Sequence, residues 1–240
     1  MSGKGASYRR VMLKMSGQAL QGAAPFGIDQ ATVNYVADQI AQARALGVEA
    51  GVVVGGGNIW RGEQGSLSGI DRATADYMGM LATVINALAL RGALDRLGID
   101  ARVQSAITMA QVTESYIRDV AIQHLERGRV VIFGAGTGNP YFTADTAGAL
   151  RALEIGADVM LMAKNRVDGV YTDDPVHNPE ARRYDRLTYI DALAQGLRVM
   201  DSTALTLCMD NHLPIIVFDI NNPENLRRLL SGEEIGTLIS

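Results

Sequence analysis

The feature that most constrains this chain is a repeated alternation of short apolar runs with stretches of helical periodicity. Val11–Leu13, Gly51–Val54, Val130–Phe133, Asp158–Met162 and Ile215–Phe218 read as strands, and Ala101–Gln104 as a further one. The runs are mostly continuous, so their strands are expected to be buried on both faces. Between them, apolar residues recur at helical spacing, as in Val33, Val36, Ile40 and Ala43. Further helices are predicted over Thr74–Arg96 (stopped by Gly98), over Tyr116–Leu125 (closed by Gly128), after Thr143, near Asp191, over Thr203–Asn211, and over Pro223–Leu230 with Pro near the first turn. Helices between buried strands imply parallel crossovers. The expected fold is a three-layer α/β/α sandwich around a mainly parallel sheet. No linker or internal repeat breaks it, so residues 1–240 read as one domain, with Lys164–Arg186 its most irregular excursion.

Apolar residues make up 48% of the chain and charged ones 20%, enough for a sizeable core. The net charge of −4 lacks the basic footprint of a general nucleic-acid surface. Cys208 is the only cysteine, which excludes an intramolecular disulfide and a thiolate zinc site. His124, His177 and His212 are scattered, with no HExxH. The first residues carry no apolar h-region, and no run reads as membrane-spanning, so a soluble, cytoplasmic protein is expected.

Three glycine-rich turns follow three predicted strands: Ser16-Gly17 after Lys14, Gly55-Gly56-Gly57 after Val54, and Gly134–Gly138 after Phe133. In an open parallel sheet such turns share one edge, where unobstructed backbone N–H groups can hold phosphate. No GxxxxGK[ST] occurs, which argues against a P-loop. The dinucleotide pattern fails where Asn139, followed by Pro140, replaces its third glycine. Lys14, at the end of a buried strand, suits a cation aimed at transferring phosphoryl oxygens, and Arg61 suits a bidentate phosphate grip. Asp76 can accept from ribose hydroxyls or serve a helix end, and Asp145 has the same ambiguity, one helical position past its expected start behind the N-cap Thr143.

Together these segments resemble the bacterial uridylate (UMP) kinases of the amino-acid-kinase superfamily. The matching segments are KMSGQAL (Lys14–Leu20), GVVVGGGNIWRG (Gly51–Gly62), DYMGMLATVINALALRGAL (Asp76–Leu94), GAGTGNPYFTAD (Gly134–Asp145), ADVMLMAKNRVDGVYTDDP (Ala157–Pro175) and VMD (Val199–Asp201). The resemblance implies that Lys14, Ser16, Gly17 and Gly57 meet ATP phosphates, with Asn165, Tyr171 and Asp174 framing its adenosine. It implies that Gly56, Asp76, Thr137, Gly138, Asn139, Pro140, Tyr141, Phe142, Thr143 and Ala144 bind UMP, and that Arg61 serves the transferred phosphate between the two nucleotides. Lys14 and Asp145 are the implied catalytic pair.

It further implies in-line transfer from MgATP to UMP in pyrimidine nucleotide synthesis, with Mg2+ arriving on ATP. The acceptor site would lie mainly in 1–156 and the ATP site mainly in 157–240. Family members are homohexamers activated by GTP and inhibited by UTP. Arg91 and Arg102 match GTP-linked positions, and Gly22–Gly27 an activation segment. Gln18 stands where the family usually has Glu. Two other readings are a related kinase acting on an amino acid or carbamate, and a non-catalytic nucleotide-binding relative of the same fold.

Overall fold

A computed structural model describes residues 6–60, 69–165, 167–197 and 199–240. Its strands are β1 (Arg10–Met15), β2 (Glu49–Val54), β3 (Ala101–Ser105), β4 (Glu114–Ser115), β5 (Val130–Gly134), β6 (Val159–Lys164), β7 (Val170–Tyr171), β8 (Arg183–Tyr184), β9 (Arg186–Leu187), β10 (Ile215–Asp219) and β11 (Thr237–Ile239). Among the described residues, nine of them form one sheet in the order β4-β3-β5-β2-β1-β6-β10-β11-β9, and β7 pairs with β8 separately. Within the large sheet only β10–β11 runs antiparallel. The chain builds outward from β1 on one side through β2 to β5, then crosses to the other side at β6, which pairs directly with β1.

Helices α1 (Gln30–Ala45), α2 (Arg72–Arg96), α3 (Arg118–Glu126), α4 (Ala144–Ile155), α5 (Tyr189–Ala194), α6 (Ser202–Asp210) and α7 (Asn225–Leu230) cover both faces. Side chains acting as caps fix where several begin: Asp29, Asp71, Thr143, Thr188 and Asp201 each accept from a first-turn backbone N–H. The period-2 alternation of β1 divides its residues between two cores. Val11, Leu13 and Met15 pack with residues of α1, α2 and α7, whereas Met12 packs with residues of α3, α4, α5 and α6. Met160 and Met162 of β6 belong to the second core too. Lys14 and Lys164 share the parity of these methionines, so both project toward the α4 face. Burying each large side chain, such as Phe218 or Leu161, contributes roughly 1.5–3 kcal/mol.

The α/β/α layering matches expectation, with local corrections. Pro223 lies just ahead of the cap Glu224, near the first turn of α7, which starts at Asn225 rather than at Pro223. Helix α3 starts at Arg118, because Tyr116 donates its backbone N–H to Ser105 O beside β4. The excursion contains the β7–β8 pair and leads into β9. Helix α2 has 25 residues and is apolar enough to cross a membrane by length and composition only, a test that a buried core helix also passes. Half of its most apolar window is buried in the fold, and its outward face keeps Tyr77, Leu81 and Ile85 exposed.

Candidate active site

The C-terminal ends of β1, β2 and β5 open on one edge of the sheet, and the glycine turns after β1 and β2 touch. Gly55 donates to Met15 O at 3.0 Å. A Cβ on Gly17 would sit 2.7 Å from Gly55 O and 2.8 Å from Gly57 N, and one on Gly56 would sit 2.6 Å from Gly79 O of α2. Only glycine permits these approaches, so the two phosphate-type turns and the long helix form one packed unit.

Lys14 is buried and forms an ion pair with Asp145 in the first turn of α4. Gly148, one turn further on, clears the way: a Cβ there would meet Met160 Cε at 2.8 Å and Lys14 Cγ at 3.2 Å. Lys164 reaches the same place from β6 and donates to Val199 O at 2.8 Å. Burial, reinforced by repulsion from Lys14 and opposed by Asp145, pulls the Lys164 ammonium below the ordinary lysine value. Sequence reasoning missed Lys164. Its signal was present, because β6 is an apolar run ending in lysine much as Lys14 follows the apolar run of β1.

Thr143 caps α4 by accepting from Asp145 N at 3.0 Å and Thr146 N at 3.3 Å, while its hydroxyl donates to Asp201. Asp201 also accepts from Thr146 and caps α6. The VMD segment therefore meets both sides of the cleft, with Val199 holding Lys164 and Asp201 holding Thr143.

Asp76 lies past the first turn of α2, whose cap is Asp71. Its carboxylate accepts from Arg72 Nε at 2.9 Å and from Tyr141 N at 2.8 Å. A cavity of about 150 Å³ brings together Gly56, Asp76, Thr137, Asn139, Thr143 and Ala144, with Phe142 also on its wall. Trp60 joins this wall, its indole donating to Ala75 O at 2.9 Å. Gly138 packs instead toward Ala106, Pro140 is half-buried, and Tyr141 stands outward on the loop.

A second cavity of about 750 Å³ holds Lys14, Ser16, Gln18, Lys164 and Asn165. A third, of about 500 Å³, holds Lys164, Tyr171 and Asp174. Lys164 is common to both. Tyr171 donates its hydroxyl to Asp168 at 2.7 Å, a bond that raises its own pKa. Arg61 lies outside the described residues. Arg91 pairs with Asp95 and Arg102 with Asp100, and neither lines these three cavities. Gly22 lines the Lys14 cavity.

The amino acid kinase family matches residues 9–219. The chain belongs to this family. Among solved structures, a UMP kinase from Bacillus anthracis is 43% identical, with a TM-score of 0.94 over 97% of this chain and 96% of that one. A UMP kinase from Ureaplasma parvum is 40% identical, with a TM-score of 0.91 over 97% and 98% respectively. A uridylate kinase from Archaeoglobus fulgidus is 28% identical, with a TM-score of 0.74 over 96% and 99%. The amino acid kinase fold thus carries the Lys14–Asp145 pair at the edge where the glycine turns after β1 and β2 meet.

Proposed function

We propose that this chain transfers the γ-phosphoryl group of ATP to UMP, giving ADP and UDP and feeding pyrimidine nucleotide synthesis. The observation that carries the reading is the near full-length match to UMP kinases at 43% and 40% identity. The juxtaposition of the Asp76–Thr143 cavity with the Lys14–Asp145 pair supports it. We treat the chain as one domain, with UMP held mainly by residues 1–156 and ATP mainly by 157–240.

An oxygen of the UMP phosphate attacks the γ-phosphorus, and the bond to the β,γ-bridging oxygen breaks as ADP leaves. The attacking phosphate is already anionic, so no protein nucleophile is required. Lys14 places positive charge beside the transferring oxygens, and Asp145 holds that ammonium in position. Lys164 adds a second cation on the same face. Backbone N–H groups of the Gly17 and Gly55–Gly57 turns cradle the phosphates.

The carboxylate of Asp145 and the hydroxyl of Ser16 are hard oxygen donors compatible with Mg2+, which would enter with ATP and neutralise phosphate charge. Among the described residues no group of three His, Cys, Asp or Glu side chains gathers, so the nucleotide and water would supply most of its ligands.

The exposed Tyr77, Leu81 and Ile85, four residues apart along α2, support self-association, and a homohexamer is proposed. GTP activation through Arg91, Arg102 and the Gly22–Gly27 segment, UTP inhibition and a cytoplasmic location complete the proposal, with neither nucleic acid nor membrane as partner. The test is ADP release with MgATP and, in turn, UMP, CMP, dUMP, TMP and carbamate. UMP is expected to be the preferred acceptor; no turnover with it would refute the activity.

A further inference from the structure

Among the described residues three that are not glycine have φ in the left-handed region, and two of them, Ala135 (φ 60°) and Tyr141 (φ 72°), bracket one loop. For such residues this conformation is strained and persists only where its surroundings hold it. Both are held from the same helix. Ala135 N donates to Thr83 Oγ1 at 2.8 Å, and Tyr141 N donates to Asp76 Oδ2 at 2.8 Å. Asp76 and Thr83 are seven residues apart, two helical turns, and so lie on one side of α2. The Thr83 hydroxyl gives its own proton to Met80 O at 2.7 Å, which leaves a lone pair aimed at Ala135. Thr83 is buried, and Ala135 is wholly so, so water cannot replace this bond.

We propose that Thr83 is a positioning residue for the phosphoryl acceptor. It holds the entry of the Gly134–Asp145 turn in its left-handed form, while Asp76 holds the turn near its far end. Helix α2 is thereby a two-point clamp that presets the nucleotide-reading backbone before ligand arrives. The inference rests on the proposal that this loop binds UMP.

The test begins with Thr83→Val, which keeps the shape and removes the acceptor. UMP KM is expected to rise about tenfold, because the left-handed Ala135 that the bond held can relax and the turn loses its preset form, with ATP KM nearly unchanged. Thr83→Ser should restore the UMP KM. Adding Ala135→Gly to Thr83→Val should recover most of the loss, because glycine adopts the left-handed form without penalty. Failure of that rescue would mean that Thr83 touches the nucleotide directly and would overturn the clamp. Parallel loss of both KM values with falling stability would also overturn it, as a general packing defect. If Thr83→Val does not accumulate, Thr83→Ala removes the same acceptor without added bulk.

Amide exchange over 134–143 decides the clamp even if wild-type protein does not phosphorylate UMP. Faster exchange at Ala135 in Thr83→Val supports it, and unchanged exchange overturns it.

Discussion

The Gly134–Asp145 loop and the Lys164–Arg186 excursion stand on opposite sides of the Lys14–Asp145 pair and are built in opposite ways. The first follows a strand from the middle of the sheet, and its strained backbone is pinned by Asp76 and Thr83 of a distant helix. The second is largely exposed, and many of its bonds join near neighbours: Asn178 donates to Asp173 at 2.9 Å, and Asp174 accepts from Val176 N at 2.9 Å. Its long-range ties gather around the β7–β8 pair, where Val170 N donates to Thr237. On the proposed assignment of UMP to the first and ATP to the second, the difference teaches that discrimination between acceptors can rest on a preset backbone, whereas the donor side has a border that can adjust locally.

Substitutions can break or sharpen this contrast. The largest effect is expected where the two regions meet. Lys14→Ala should raise the transfer barrier by about 2.7–4 kcal/mol, the scale for losing one preorganised charge-stabilising group. Single-turnover rates would measure it, and an unchanged rate would remove Lys14 from the chemistry.

On the acceptor side, Asp76→Asn keeps the shape and removes the charge. It should weaken UMP binding by about 1.5–3 kcal/mol, the range for a hydrogen bond to a charged group. Calorimetric titration with each nucleotide separately would detect it, and a loss confined to ATP would reverse the assignment.

Lys164 supplies a pH test. Its folded-state pKa lies below its unfolded value, so the folded protein carries a penalty while both states are protonated. That penalty falls as pH rises from the folded pKa toward the ordinary lysine value, because the unfolded chain then holds more protons. Relative to wild type, Lys164→Met should therefore gain stability near neutrality and lose that advantage progressively into alkaline solution. Urea melts across that range would show it, and a stability difference independent of pH would contradict it.

The smallest effect belongs to the excursion, where Asn178→Ala should change stability by no more than about 0.5 kcal/mol, as exposed substitutions usually do. A substantial fall in urea midpoint would mean that the excursion is as firmly held as the acceptor loop.

Much of the fold was legible because continuous apolar runs and helical spacing report burial locally. All six predicted strands begin within two residues of the observed ones, and Thr143 is the cap that its sequence context indicates. The short strands β4, β9 and β11 were not legible, since two or three residues carry too little periodicity. In the site, the glycine turns, Lys14 and Asp145 could be proposed from the chain, whereas Lys164 was passed over and Thr83 left no signal. A threonine in mid-helix looks the same whether or not a loop 52 residues away donates to it.

By itself the sequence determined which segments become buried strands, where helices are capped and which turns need glycine, because those choices depend on near neighbours along the chain. Tertiary structure decided that β6 lies beside β1, which brings Lys14 and Lys164 onto one face, where Asp145 pairs with Lys14 and its charge also acts on Lys164. It also decided that the Gly134–Asp145 loop hydrogen-bonds to α2 at two points, Thr83 and Asp76. A strand's parity says which side of a sheet a residue takes, but only strand order and helix packing say what it meets there.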